Sequence, residues 1–348
     1  MHTESKHSFE PGQSQVAGPE TVTTAPESAV TAPGEISETR SFLRDGLLFI
    51  LIALLLYAVV YIVSEQLVYK YTVRNRPYAV KTALFSEYDY VILGASRAAV
   101  FDYDDMNARL EEMTGAHILN LSTLGGGITV NRLLLDYFLA RHDTQCVVYF
   151  LDSFAFYSRE WNEERVQDVE LWQKAPFDPA LARLLVQTPS TRSVAPGYLL
   201  GFYRINNPDR FELDISEEEA NRFDKAYRPV KQIDQQRMDY LYPDQIDPEI
   251  FQHYLDEFEA TLRYLEEQNI DVIVIKAPIP ERVYQMIPHE EQFDEAVRSI
   301  LQQYDASFYD FTSVSNDEEF FFNTDHLNRT GVLQFYENYL EGVLTVHQ

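Results

Sequence analysis

From Gly46 to Ser64 the sequence carries no charged residue, and Asp45 and Glu65 close the run at either end. Leu, Ile, Val, Phe, Ala and Tyr fill it so evenly that a helix built from it has no polar face. A helix on the surface of a soluble protein needs such a face, whereas roughly 20 consecutive apolar residues are what crossing a bilayer requires. The run therefore predicts a transmembrane anchor over residues 42–66, with 46–64 in the hydrocarbon. It starts too far into the chain for an ordinary signal peptide, and no small-residue cleavage site follows it, so the expectation is a retained signal anchor.

The flanks differ in character. Residues 1–40 are rich in Ser, Thr, Pro, Gly, Ala and Glu and hold almost no large apolar side chain. Such a segment cannot offset its chain entropy by burial and is expected to be a disordered acidic tail. Residues 67–85 read as a juxtamembrane linker. Across all 348 residues, 28 Lys and Arg face 55 Asp and Glu, a net charge of −27. A surface of that sign repels a polyanion, which argues against nucleic acid as a partner. Cys146 is the sole cysteine, so an intramolecular disulfide framework and a multi-cysteine metal site are both excluded.

From residue 86 onward short apolar runs alternate with amphipathic stretches. Tyr90–Leu93, His117–Leu121, Cys146–Leu151 and Asp271–Lys276 have the continuous apolar character of parallel strands covered on both faces, and Ser307–Asp310 is a weaker fifth. Helical patterns over Tyr103–Thr114, Val130–Arg141, Pro248–Gln268, Phe293–Gln303 and Thr330–Val346 separate them. This alternation predicts an α/β domain over 86–348, a doubly wound, flavodoxin-like parallel sheet of about five strands with its ligand site at the strand C-terminal ends. Residues 157–247 break the rhythm, are acidic and aromatic, and read as an insertion. Tyr157, Trp161, Trp172, Tyr198, Phe202 and Tyr203 within it are candidates for a sugar-stacking surface or, as the commoner alternative, core and cover.

Three strand ends and one loop near the C-terminus carry side chains that suit chemistry. The first strand runs into Gly94-Ala95-Ser96-Arg97, where a tight turn would expose the Ser96 hydroxyl; a helix cap is the competing explanation. The second runs into Ser122-Thr123-Leu124-Gly125-Gly126-Gly127, whose backbone N–H groups could face an oxyanion or a phosphate. No Lys-Ser/Thr phosphate loop or Gly-x-Gly-x-x-Gly pattern accompanies it. Asp152-Ser153 end the third. Near the C-terminus, Asn323-Thr324-Asp325-His326-Leu327-Asn328-Arg329-Thr330-Gly331 places His326 in a polar loop. Ser96 and His326 supply a nucleophile and a base for acyl transfer, in the order Ser then His. His289 with Glu290 and Glu291, or Asp325 with His326, offer metal-ligand types without a convincing spacing.

These motifs together resemble the SGNH (GDSL-like) hydrolase superfamily, most closely its membrane-anchored bacterial branch of alginate O-acetylation and teichoic acid D-alanylation proteins. The resemblance extends over residues 86–346 and rests on Val91–Arg97 and Asp325–Gly331. It implies Ser96 as nucleophile and oxyanion donor, His326 as general base, and Gly125 or Gly126 as a second donor. It departs from the family at two points. The triad acid is expected three residues before the histidine, where this chain has Asn323, and the usual Gly-x-Asn-Asp is missing, with Asp152 near its place. Asn323 or Asp325 would then orient the imidazole.

The resemblance implies a membrane-anchored acyl esterase or O-acyltransferase on a cell-envelope or secreted polysaccharide, needing no cofactor and no metal. Its partners would be an acylated polysaccharide or acyl donor, the membrane through 46–64, and a membrane-bound O-acyltransferase. A non-catalytic polysaccharide-binding or assembly protein of the same fold is the alternative. Arg40 and Arg44 before the span against Lys70, Arg74, Arg76 and Lys81 after it favour a cytoplasmic C-terminal domain by charge count. The resemblance implies the opposite, a single-pass protein of the cytoplasmic membrane with its globular domain outside.

Overall fold

The computed structural model describes residues 33–315 and 317–347, so most of the expected acidic tail lies outside the described residues. Helix α1 spans Pro33–Tyr71. The last residues of the segment expected to be disordered are thus helical: once the apolar run has nucleated a helix, adding residues to its start costs little. Within α1, Arg40–Tyr71 is long and apolar enough to cross a membrane, with a mean hydropathy of 2.9 in its most apolar window and none of that window buried by protein. The chain divides into two compact units, one ending at Leu56 and one beginning at Tyr57. In the second, the stretch read as a linker contains helix α2, Arg76–Thr82, capped by the Asn75 side chain, which accepts from Tyr78 N.

Five strands build the sheet: β1 Glu87–Leu93, β2 Ile118–Asn120, β3 Asp143–Phe150, β4 Asp271–Lys276 and β5 Ser307–Asp310. Their order is β2-β1-β3-β4-β5 and every pairing is parallel. This is the doubly wound order expected from the alternation. Strands β1 and β3 begin earlier than their apolar runs, because Glu87 and Tyr88 pair in register with Asp143 and Thr144. Exposed Glu87, Asp143 and Gln145 alternate with buried Tyr88 and Thr144, so these first turns of the ladder carry no continuous apolar run.

Side-chain alternation splits the strands between two cores. Val91, Leu93, Val147, Tyr149 and Val274 face one layer with α5, Ile128–Leu139, and the helix Pro248–Glu267. Tyr90, Ile92, Cys146, Val148, Ile273 and Ile275 face the other with α4, Met106–Thr114, and the C-terminal helical segments from Arg329 to Val346. Burial pushes the Cys146 thiol up to about 12, so it is neutral packing material, not a nucleophile. The insertion folds as short helices, and Tyr157, Trp161, Trp172 and Tyr198 are buried in the core. Buried rings offer no face to a sugar, so a stacking surface built from these four is ruled out.

Candidate active site

Chain order passes from β1 to β2 on one side and from β2 back to β3 on the other, so β1 and β3 flank the topological switch point. The ends of these strands hold Ser96 and Asp152. Gly94 makes the turn after β1 with a φ of +153°, and an added Cβ would meet Ala98 Cβ at 2.9 Å and Phe150 Cβ at 3.0 Å. Only glycine fits there. Its N–H donates to Asn131 Oδ1 at 3.1 Å, and its carbonyl accepts from Thr123 N at 3.2 Å. Helix α3, Ser96–Ala99, starts immediately afterwards, so the Ser96 N–H is one of its free first-turn donors.

His326 is held by its own loop. Asn323 Oδ1 accepts from His326 Nδ1 at 2.9 Å, from His326 N at 2.9 Å and from Asp325 N at 3.2 Å. Two backbone donors on one oxygen fix the amide orientation. The proton on the ring must therefore sit on Nδ1, which leaves Nε2 as the basic nitrogen. Nε2 is buried and has no hydrogen-bond partner among the described residues. Burial lowers the His326 pKa, against an upward pull from Asp325, so the imidazole rests neutral, as a general base must. The Asn323 amide nitrogen donates to Glu218 Oε1 at 3.0 Å.

Asp325 takes a different partner from the one a triad acid would have. Arg237 Nε and Nη2 donate to its two oxygens at 3.0 and 3.1 Å, while Asp325 Oδ1 stands 3.4 Å from His326 Nδ1. Burial alone would raise this carboxyl, but Arg237, His326 and Arg97 outweigh it and hold it well below the usual carboxylate range. Asp325 is therefore ionised beside the ring that Asn323 orients.

At the end of β3, Asp152 pairs with Arg97 Nη2 at 2.5 Å, with both side chains buried. Burial raises Asp152, against the pull of Arg97. Among the described residues Arg97 Nε and Asp152 Oδ2 lack hydrogen-bond partners, as does Glu290 Oε2, whose other oxygen holds Lys276 at the end of β4 at 2.6 Å. The fields of Asp152, Tyr242, Asp325 and Glu290 all act on Arg97. The ends of β1, β3 and β4 and the histidine loop thus share one buried polar cluster. Ser96 and His326 are 8% and 3% exposed, and no hydrogen bond joins them among the described residues.

The glycine loop differs from its expected role. Gly126 N donates to Thr123 O at 3.0 Å and Gly127 N to Trp161 O at 2.8 Å, so neither N–H is spare. Gly125, at a φ of +64° and under the Trp161 ring, is left as the loop's candidate donor. A polar cavity of about 460 Å³ opens beside this loop, walled by Thr123 and Leu124, by Ala99 of α3, and by Arg74, Arg76 and Glu219. Among the described residues no group of three His, Cys, Asp or Glu side chains is placed to hold a metal ion.

Sequence reasoning missed the residues that brace the histidine loop from the insertion. Besides Glu218 and Arg237, Asp234 accepts from Thr324 Oγ1 at 3.0 Å, and the Tyr227 N–H donates to Phe321 O at 2.7 Å. The only local signal was the departure of 157–247 from the strand–helix rhythm.

Residues 210–339, which span the bracing segment and the histidine loop, match the family model described as DltD protein, and this supports the SGNH-like hydrolase family. A crystal structure of a candidate acylhydrolase from Bacteroides fragilis is similar at 8% identity, with 76% of this chain and 88% of that chain covered and a TM-score of 0.37. No curated protein matches the sequence significantly.

Proposed function

We propose that this chain is a membrane-anchored acyl-transfer enzyme, an O-acyltransferase or esterase for a cell-envelope or secreted polysaccharide, with Ser96 as nucleophile and His326 as general base. The observation that carries the proposal is the His326 ring: neutral, fixed through Nδ1, with its basic Nε2 buried and unpaired. In the reaction His326 Nε2 takes the Ser96 proton as Oγ bonds to the acyl carbonyl carbon. The tetrahedral intermediate expels the donor's oxygen, which leaves with that proton, and an acyl-serine remains. An acceptor hydroxyl of the sugar, or water, then gives its proton to Nε2 and attacks the ester, and Ser96 leaves reprotonated. The imidazolium formed in each half is stabilised by Asp325 at 3.4 Å, while Asn323 supplies orientation. Because the Gly-x-Asn-Asp donor is missing, the Arg97 guanidinium, steadied by Asp152, is assigned to the oxyanion together with the Ser96 N–H.

The one candidate span among the described residues supports an anchored protein, and the likeness to the envelope-acylating branch favours an extracytoplasmic domain. Hydrolysis of 4-nitrophenyl acetate by the detergent-solubilised full chain tests the chemistry. Ser96→Ala and His326→Gln should each lower turnover by about 10²–10⁴-fold. Turnover unchanged in Ser96→Ala refutes the assignment. A phosphatase fused to the C-terminus reports the side of the membrane and should be active.

A further inference from the structure

Within the insertion, Ser193–Tyr203 carries no charge, although 24% of the chain is charged and Arg192 and Arg204 bracket the stretch. It folds as a short helix, Ala195–Leu199, a turn at Gly201, and a second short helix, Phe202–Ile205. At the turn Leu199, Leu200 and Phe202 are 41%, 60% and 57% exposed. Large apolar side chains are thus gathered at one tip, with none of the described residues covering them.

The same turn is fastened to the last part of α1. Tyr57 Oη donates to the Leu200 carbonyl. The Tyr61 ring lies where a Cβ on Gly201 would sit, with ring carbons at 2.5 and 2.6 Å from that position. Arg204 Nη2 donates to Tyr61 Oη at 2.7 Å, and its Nε pairs with Glu65 at 3.1 Å. Tyr57 and Tyr61 both belong to the uncharged run that ends at Ser64. At the helical rise, Tyr57 lies about 12 Å inward of Glu65 along the axis, and a tilt of about 20° changes that depth little. A turn bound at the level of Tyr57 shares the depth of the apolar run, and its exposed side chains suit acyl chains, not water.

We infer that the Leu199–Phe202 turn is a second membrane contact, a wedge that enters the lipid leaflet beside α1. Its occupant is the bilayer itself: an apolar tip with Tyr203 at its edge and arginines behind is the composition of an interfacial segment. The contact is independent of the Ser96–His326 assignment. It gives the enzyme domain a second point of attachment, so that rotation about the α1 axis is restrained.

Phe202→Trp places a reporter at the tip without altering its apolar character, and the native Trp161 and Trp172 are buried and can be subtracted. The full chain is reconstituted alone in phosphatidylcholine vesicles with or without lipids brominated high on the acyl chain. The added indole should emit to the blue and lose roughly half or more of its intensity to the bromolipid, as expected for a side chain at the acyl boundary. Val346→Trp, at a position 79% exposed, provides the reference for an unquenched, water-facing indole. Red emission without quenching at residue 202 overturns the inference. Blue emission without bromolipid quenching also overturns it, since the tip would then be covered by a second copy of the chain.

Discussion

Removing the Arg237 side chain is the sharpest test of how the histidine loop is held. In Arg237→Ala the Asp325 carboxylate loses both of its charge-assisted hydrogen bonds while its side chain stays 2% exposed. Breaking a buried pair from one side typically costs about 3–5 kcal/mol. The Arg237 side chain is 22% exposed, so some water reaches the gap, and we expect the lower end, about 3 kcal/mol. For a domain of this size that lowers the melting temperature by roughly 6–12 °C. Urea unfolding of the detergent-solubilised chain, followed by near-UV circular dichroism, measures the change. Because Asp325 is held below its unfolded pKa, its pairing stabilises the fold fully above the ordinary carboxylate range and is lost as pH falls through its depressed folded value. In the variant an unpaired carboxyl in the same burial would titrate upward. The gap between native and variant should therefore be full at neutral pH and close on acidification. Asp325→Asn added to Arg237→Ala should recover part of the loss. A change below about 0.5 kcal/mol, the level of an ordinary surface substitution, or a gap that widens in acid, refutes the reasoning.

Other outcomes follow from the same contacts. Asn323→Asp supplies the family's acid but turns the 3.0 Å contact with Glu218 into a clash of like charges; it should cost about 1–3 kcal/mol, and Glu218→Gln should restore most of it in thermal unfolding. Asn328→Ala removes the cap that accepts from Gly331 N at 2.9 Å and should cost about 1 kcal/mol, up to about 2, by urea titration. Gly331→Ala would drive a Cβ into the Phe320 carbonyl and should destabilise by about 1–3 kcal/mol, read by the same titration.

The sheet was legible because β1 to β4 are buried on both faces, so periodicity alone marked them, and the weak fifth run proved to be β5, Ser307–Asp310. Ser96 was legible as the residue after the β1 turn, where it opens helix α3, and His326 as a residue of a polar loop before the last helical segments. The bracing of His326 was not, since Glu218 and Arg237 lie 105 and 88 positions from the residues they hold, and only the fold brings them together. The glycine loop misled in part: three glycines suggested free N–H groups, but Gly126 closes a turn onto Thr123 and Gly127 ties the loop to Trp161. Arg97 stood in plain view next to Ser96, yet its meaning depends on Asp152, a strand away.

Whether Ser96 is an activated nucleophile is decided most directly by treating the solubilised full chain with a fluorophosphonate and locating the adduct by mass spectrometry. A single phosphonylated residue, Ser96, is expected, with labelling lost in His326→Gln and retained in Asn328→Ala. A folded native chain that stays unlabelled, or labels equally well without His326, contradicts it.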